Sequence, residues 1–135
     1  MSIQVELNQI IIREMEHEQF IVLKEVDGVR RLPILIGSAE AFAIDRRLKG
    51  IPAARPLTHD LLASVIEAMG GIIERIEITA LEYYAEGGTF LAAIHIRQGD
   101  KLIKIDSRPS DAIALGSASN VPIFVAEKVM EDASA

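Results

Sequence analysis

Two short segments hold the side chains best suited to acid–base and phosphate chemistry. Each places an Arg-Pro pair ahead of a hydroxyl group and an aspartate: Arg55-Pro56-Leu57-Thr58-His59-Asp60 and Arg108-Pro109-Ser110-Asp111. Histidine exchanges protons near neutral pH, and arginine binds phosphate through two parallel hydrogen bonds. The N–H groups at the start of a helix also bind anions. The pattern therefore predicts a site that handles phosphate groups.

In the first segment, His59 and Asp60 are the candidate catalytic residues, and Arg55 and Thr58 are the candidate substrate-binding residues. His59 would transfer a proton while Arg55 and the helix N–H groups hold a phosphate. The competing interpretation is structural: Thr58 and Asp60 cap a helix, and His59 lies on the surface or bonds a carbonyl group. A shared capping solution would also explain why the Arg-Pro pattern occurs twice.

The second segment belongs to the densest polar cluster, where a strand ends and a helix begins. Asp106 and Asp111 offer oxygen ligands to Mg²⁺ or Mn²⁺, and Glu40, in the first predicted helix, is a third candidate ligand. Arg108 and Ser110 would bind the substrate phosphate, and Asp111 is also a candidate catalytic residue. The alternative is a buried Asp–Arg pair that only fixes the strand–helix corner, with Ser110 or Asp111 capping the helix.

The other basic and histidine side chains fit ordinary roles. Arg46, Arg47 and Lys49 form a compact basic run that is too small for a nucleic-acid platform, so we predict a solvated helix face for them. His17 falls in an acidic turn. His95 lies in an alternating strand, which predicts that it occupies the strand face opposite its isoleucine neighbours. It is an ordinary residue if that face is polar and a further site candidate if the sheet wraps around the site.

Composition limits what the chain can do. Its 135 residues fit one domain, with no linker or boundary inside residues 1–135. The absence of cysteine excludes disulfides and zinc–thiolate sites. A net charge of −6 argues against a protein that coats nucleic acid, although carboxylate-bound metal ions would still permit a nuclease. The first residues lack a signal-peptide pattern and no apolar run reaches ~18 residues, so we expect a cytoplasmic protein without membrane contact.

Hydrophobic periodicity predicts the elements that position these segments. Short β-branched runs joined by tight turns predict one antiparallel meander at the start and another in the second half. Helices are predicted after Ser38 and Thr58, each as an N-cap, after Arg108, and near the end. The second helix carries its apolar residues on one face: Leu61, Leu62, Val65, Ile66 and Met69. The order is βββ-α-α-βββ-α-β-α, an α+β fold with a mixed, largely antiparallel sheet and about four helices.

Four blocks, in one order, resemble the bifunctional nuclease domain family. They are Leu32-Pro33-Ile34-Leu35-Ile36-Gly37 with Glu40-Ala41, the first Arg-Pro segment with Leu61, Asp106-Ser107-Arg108-Pro109-Ser110-Asp111-Ala112-Ile113-Ala114-Leu115, and Val121-Pro122-Ile123-Phe124-Val125. The resemblance covers nearly the whole chain and implies cleavage of both DNA and RNA, as in plant relatives. It supplies no agreed catalytic set, so the residues named above rest on their chemistry.

The chain departs from the family pattern after the third block. Many members continue that helix with Ala, Leu and Arg, whereas this chain has Gly116-Ser117-Ala118-Ser119-Asn120. Glycine and serine weaken a helix, so we expect it to end early. The substitution also removes a basic residue that would contact a phosphate.

Two functions are compatible with these sequence features. The first is a nuclease of low sequence specificity that hydrolyses RNA and DNA phosphodiesters with Mg²⁺ or Mn²⁺ held by Asp106, Asp111 or Glu40. The alternative is a non-catalytic binding or regulatory module, which the acidic charge and scarce aromatic residues favour. We also expect a homo-oligomer, because an exposed aliphatic edge or face would be covered by a second copy. The nuclease hypothesis requires the two Arg-Pro corners to converge in one cleft.

Overall fold

The computed structural model of the protein describes residues 1–13, 15–85 and 87–135. Within them the elements follow the predicted order and form an α+β fold. The strands are β1 (Ser2–Ile11), β2 (Glu18–Glu25), β3 (Arg31–Gly37), β4 (Gly71–Tyr84), β5 (Gly87–Gln98), β6 (Lys101–Ser107) and β7 (Ile123–Ala126). The helices are α1 (Ser38–Lys49), α2 (Thr58–Ala68), α3 (Pro109–Gly116) and α4 (Glu127–Ala133), with a 3₁₀ turn at Ser117–Ser119.

All seven strands join one sheet in the order β3-β2-β1-β7-β4-β5-β6. The two antiparallel meanders predicted from the turn pattern, β1-β2-β3 and β4-β5-β6, form its two halves. Strand β7 lies between them, antiparallel to β1 and parallel to β4. Ile123 pairs with Val5 on one side and with Ile76 on the other. The last strand therefore connects two local meanders into one mixed sheet.

Aliphatic side chains hold the helices on the sheet. Ala41 and Ile44 attach α1 to the β1–β3 half of the core, and Ala112 and Leu115 attach α3 to β4 and β5. Burial of each larger aliphatic side chain stabilises the fold by roughly 1.5–3 kcal/mol, so the core needs no aromatic residues. None of the described helices has the length and apolar character needed to cross a bilayer.

Helix α2 is attached much more loosely than α1 and α3. It contains no buried residue, and only a few of its side chains, Ala63 and Ile66 among them, are half-buried. Of the predicted apolar face, Ile66 alone packs on the core. The others remain exposed to solvent: Leu61 (56% exposed), Leu62 (42%), Val65 (44%) and Met69 (67%).

The helix starts differ from the predicted caps by one residue. Ser38 and Thr58 are the first helical residues, and Gly37 and Leu57 occupy the preceding cap positions. At α2 the Leu57 amide donates a hydrogen bond to Asp60 Oδ2 at 3.1 Å. The capping role predicted for Asp60 is confirmed, whereas the one predicted for Thr58 is wrong, because its side chain makes no capping bond.

Helix α3 starts and ends where the sequence predicts. Pro109 is its first residue, where the missing N–H costs nothing. The helix ends at Gly116, as the departure from the family pattern predicts, and Asn120 then adopts a left-handed conformation with φ of 54°. Gly116 is needed for close packing, because a Cβ there would lie 2.6 Å from Ile76 Cδ1. This short helix holds the second Arg-Pro corner against β4 and β5.

Candidate functional site

The first turns of α2 and α3 meet at a contact between an imidazole and a carboxylate. His59 Nε2 lies 3.0 Å from Asp111 Oδ1. His59 is the second residue of α2 and Asp111 the third of α3, and their side chains are 15% and 33% exposed. The two Arg-Pro corners therefore converge, and they do so through His59 and Asp111.

Arg108 extends this contact into a chain of charged groups across three helices. Its Nε donates to Asp111 Oδ2 at 2.8 Å, and its Nη2 donates to Glu40 Oε1 at 3.1 Å. Glu40 fits against the start of α1 because Gly37 has no Cβ, which would collide with the Glu40 carboxylate. The Arg108 side chain is 66% exposed. Its other guanidinium N–H groups can therefore bind an incoming anion.

The charge of Asp111 decides which atom donates in its contact with His59. Burial raises the pKa of the Asp111 carboxyl, but hydrogen bonds from His59 and Arg108 outweigh it and leave the pKa below its usual 3.8. The bond and charge of Asp111 raise the pKa of Arg108. An ionised Asp111 only accepts hydrogen bonds, so His59 Nε2 must be the donor. In the neutral imidazole, Nδ1 of His59 is then the proton acceptor.

Two open clefts meet at these residues. The first, about 760 Å³, lies between α1 and α2, and the second, about 650 Å³, lies between α2, β5 and β6. Both are lined by the same four predicted site residues: Thr58, His59, Arg108 and Asp111. The remaining walls are largely apolar, with Phe42, Leu57 and Leu61 in the first cleft and Leu62, Phe90 and Ile105 in the second. The sequence motifs gave no indication that these apolar residues line a site.

A third cavity offers no comparable chemistry. It measures about 410 Å³ and lies between β1, β7 and α3. Its walls are mostly aliphatic, and Glu6 is the one titratable residue that lines it. A lone carboxylate provides no acid–base pair, so we place the candidate site at the His59–Asp111 contact.

Asp60 turns away from His59 and towards α1. It accepts hydrogen bonds from Arg46 Nη2 at 2.6 Å and from Arg47 Nη1. Arg47 also donates to the carbonyl oxygens of Ala114 and Leu115 at 2.7 and 3.0 Å. The predicted solvated face for Arg46 and Arg47 is wrong, because their side chains are only 19% and 8% exposed. These arginines join the start of α2 to the end of α3.

The ionisation of Asp60 should make stability depend on pH. Burial raises its pKa, but hydrogen bonds from the Leu57 amide, Arg46 and Arg47 outweigh this effect and leave the pKa below 3.8. A lowered carboxyl pKa stabilises the fold above the unfolded value, and this stabilisation is lost as pH falls through the folded value. We expect Asp60→Asn to lower the urea midpoint at pH 7 more than at a pH below the folded pKa. An equal loss at both pH values would contradict the assignment.

The predicted substrate-binding residues have different positions. Thr58 is exposed and lines both clefts. Arg55 is exposed in the connection between α1 and α2, without a hydrogen bond or ion pair to the residues that the structure describes. Ser110 is buried under the second corner and borders a separate groove beside β3. Arg108 is thus the predicted cationic residue that directly contacts Asp111.

The three predicted metal ligands do not converge. Asp106 pairs with Ala93 and lines the second cleft, but it makes no hydrogen bond or ion pair with Arg108 within the described residues. Glu40 and Asp111 do approach each other, but the Arg108 guanidinium lies between them and bonds both. In residues 1–13, 15–85 and 87–135 no group of three His, Asp or Glu side chains is arranged to hold a metal ion.

His95 belongs to a separate polar contact on the other face of the sheet. Its Nε2 lies 3.3 Å from Glu77 Oε1, and Ser2 Oγ donates to Glu77 Oε2 at 2.5 Å. Strand pairing places His95 beside Arg75, away from Ile94, which confirms the predicted alternation. This contact does not line either cleft.

Comparisons with known proteins agree with the resemblance in the sequence. The family model of the bifunctional nuclease domain matches residues 21–135, which include the whole candidate site. An uncharacterised protein of Mycobacterium tuberculosis is 36% identical over 130 residues, or 96% of this chain and 75% of that protein. Bifunctional nuclease 1 of Oryza sativa subsp. japonica is 28% identical over 119 residues, and bifunctional nuclease 2 of Arabidopsis thaliana is 28% identical over 109 residues.

The plant relatives are much longer than this chain. The matched segments cover 87% and 78% of this chain, but only 36% and 32% of the rice and Arabidopsis proteins. What those proteins do as a whole is therefore a property of the longer chains. The family-model match over residues 21–135 shows that this chain belongs to the bifunctional nuclease domain family.

Proposed function

We propose that the chain is a nuclease of low sequence specificity that hydrolyses RNA and DNA phosphodiesters at the His59–Asp111 site. The observation that carries this proposal is the 3.0 Å contact between His59 Nε2 and Asp111 Oδ1 beside the exposed guanidinium of Arg108. It combines a proton-transfer group with an anion-binding group in an open cleft. The plant relatives named bifunctional nucleases support a phosphodiester as the substrate.

In the proposed reaction, Arg108 binds the scissile phosphate through N–H groups that it does not donate to Asp111 or Glu40. His59 Nδ1 takes a proton from a water molecule, whose oxygen forms the new bond to phosphorus. The Asp111 carboxylate stabilises the resulting imidazolium and keeps the ring in place. The bond from phosphorus to the leaving oxygen breaks, and that oxygen receives the proton from His59. Because the nucleophile is water and not the 2′-hydroxyl group of the substrate, the same reaction applies to RNA and DNA.

Metal assistance remains part of the proposal, with fewer ligands than the sequence suggested. Mg²⁺ often binds through one or two carboxylates and completes its shell with water and substrate phosphate. Glu40 and Asp111 would be those carboxylates, and a bound ion would neutralise phosphate charge. Because Arg108 bonds both carboxylates, it must first move aside. We therefore expect an added divalent ion and the Arg108 guanidinium to compete for the same position.

The proposal is tested with labelled RNA and DNA of one sequence, incubated with Mg²⁺, Mn²⁺ or a chelator. We expect wild type to cut both polymers and Asp111→Asn to lower kcat by about ten- to hundredfold, since loss of a charged hydrogen bond costs roughly 1.5–3 kcal/mol. Asp100→Asn is the matched control, because it removes an exposed carboxylate in the β5–β6 turn that lines neither cleft and makes no hydrogen bond or ion pair within the described residues. Equal trace activity in all three proteins would indicate contamination and end the proposal.

A non-catalytic binding module is the second candidate function. It is favoured by the mutual pairing of Arg108 with Glu40 and Asp111, which satisfies these charges without any ligand. Under this alternative the purified protein retains an oligonucleotide in a filter-binding assay but releases no product with any of the metal ions. Product formation that depends on Asp111 would exclude it.

A further inference from the structure

Helix α2 presents an apolar stripe along its length, formed by Leu61, Leu62, Val65 and Met69. The helix has 11 residues and none of them is buried. Isolated helices this short are marginal in water, and soluble monomers rarely leave large contiguous apolar patches exposed. The α2 stripe therefore needs a covering surface.

The spacing of the stripe is symmetrical about Val65. Leu61 and Met69 lie four residues to either side, and Leu62 and Ala68 lie three residues to either side. In an antiparallel pair of α2 helices with a twofold axis at Val65, Leu61 of one copy faces Met69 of the other. The bulky Leu62 then faces the small Ala68. The same surface is thus complementary to itself, which a twofold interface requires.

The charges of α2 fit a second copy of the chain better than nucleic acid or a membrane. The helix contains no Lys or Arg, which phosphate backbones and anionic lipids require. Asp60 is paired with Arg46 and Arg47, and Glu67 lies on the side of the helix opposite Val65. Two copies can therefore bring their stripes together without facing like charges, although each chain carries a net charge of −6.

Neighbouring exposed side chains enlarge this surface. Phe42 and Leu57, which are 56% and 50% exposed, line the first cleft together with Leu61. With the α2 stripe they expose on the order of 500 Å² of apolar surface per copy, a large part of the ~800 Å² that each partner buries in a standard interface.

We infer that the chain forms a homodimer through antiparallel packing of α2 on α2, with the twofold axis at Val65. Because Leu61 belongs both to the stripe and to the first cleft, the second copy forms a further wall beside His59. The dimer shields the apolar side of that cleft from water. This inference does not depend on the nuclease proposal, since its test measures oligomeric state.

The test is light scattering coupled to size exclusion at micromolar concentration. We expect wild type to show the mass of two 14.8 kDa chains and Val65→Glu to show the mass of one. Ser64→Glu, which places the same charge about 100° around the helix from Val65, should remain dimeric. Glutamate favours helix more than valine or serine, so neither change weakens α2 itself. A monomeric wild type, a dimeric Val65→Glu, or a monomeric Ser64→Glu would each overturn the inference.

Cross-linking tests the position of the axis without disrupting the interface. The chain has no cysteine, so a single introduced thiol can pair only with its equivalent in another copy. Helix axes about 9–10 Å apart would place the two Val65 Cα atoms roughly 4.4–5.4 Å apart, which suits a disulfide. We expect mild oxidation to convert Val65→Cys, but not Ser64→Cys, into a covalent dimer. A dimer in which Val65→Cys fails to cross-link would overturn the proposed axis.

Discussion

Replacing His59 with alanine should lower kcat/KM for both RNA and DNA by about 10²–10⁴-fold, the usual loss when a general acid–base group is removed. The fold should survive, because the His59 imidazole lines two clefts and hydrogen-bonds to one side chain, Asp111, within the described residues. The measurement is initial rate of product release at several pH values, on protein whose circular dichroism matches wild type. Added imidazole should restore part of the lost rate, since it enters the space left by the side chain.

His17→Ala is the control for this experiment. His17 is exposed, and its contact with Ser38 uses the backbone carbonyl oxygen, so the substitution removes an imidazole without removing that bond. We expect wild-type rates from it. A His59→Ala protein as active as His17→Ala would show that proton transfer does not occur at this contact. Activity would then have to come from another part of the chain.

The local parts of the fold could be predicted because they depend on neighbouring residues. Strand alternation, turn glycines and Pro109 at a helix start are properties of short segments, and the order of elements follows from them. The position of β7 between β1 and β4 could not be predicted in this way. Its pairing joins residues separated by most of the chain, such as Val5 and Ile123. No periodicity in either segment specifies that partner.

The candidate site could likewise be predicted only in part. The convergence of the two Arg-Pro corners was a requirement of the nuclease hypothesis, and the contacts among His59, Arg108 and Asp111 meet it. The alternation of Asp106 with Ile105 along β6 could have been predicted from the sequence. The Arg47–Asp60 contact could not, because a proline-containing connection separates the two residues.

The apolar face of α2 illustrates a further limit. The sequence correctly grouped Leu61, Val65 and Met69 on one side of the helix, but an apolar face does not reveal whether the same chain or another one covers it. In the structure this side of α2 is exposed to solvent. Its apolar residues are therefore interpreted as an interface with another chain and not as part of the core.

Replacing Arg47 with alanine should cause the largest loss of stability, about 3–5 kcal/mol in the free energy of unfolding, as expected when one partner of a buried ion pair is removed. The Arg47 side chain is 8% exposed and donates to Asp60 and to the carbonyl oxygens of Ala114 and Leu115. Without it, three acceptors between α1, α2 and α3 lose a donor. Urea unfolding followed by circular dichroism measures the loss.

Lys49→Ala provides the matched control, because it also shortens a basic residue in the last turn of α1. Lys49 is 61% exposed and pairs with Asp45 one turn earlier at 2.9 Å, an interaction worth about 0.3–0.5 kcal/mol. Similar urea midpoints for the two variants would mean that Arg47 does not hold the helices together. If Arg47→Ala also lowers nuclease activity while His59 and Asp111 are intact, the cause must be displacement of these two residues. Both lie in the first turns of helices whose relative placement depends on the Arg47 guanidinium.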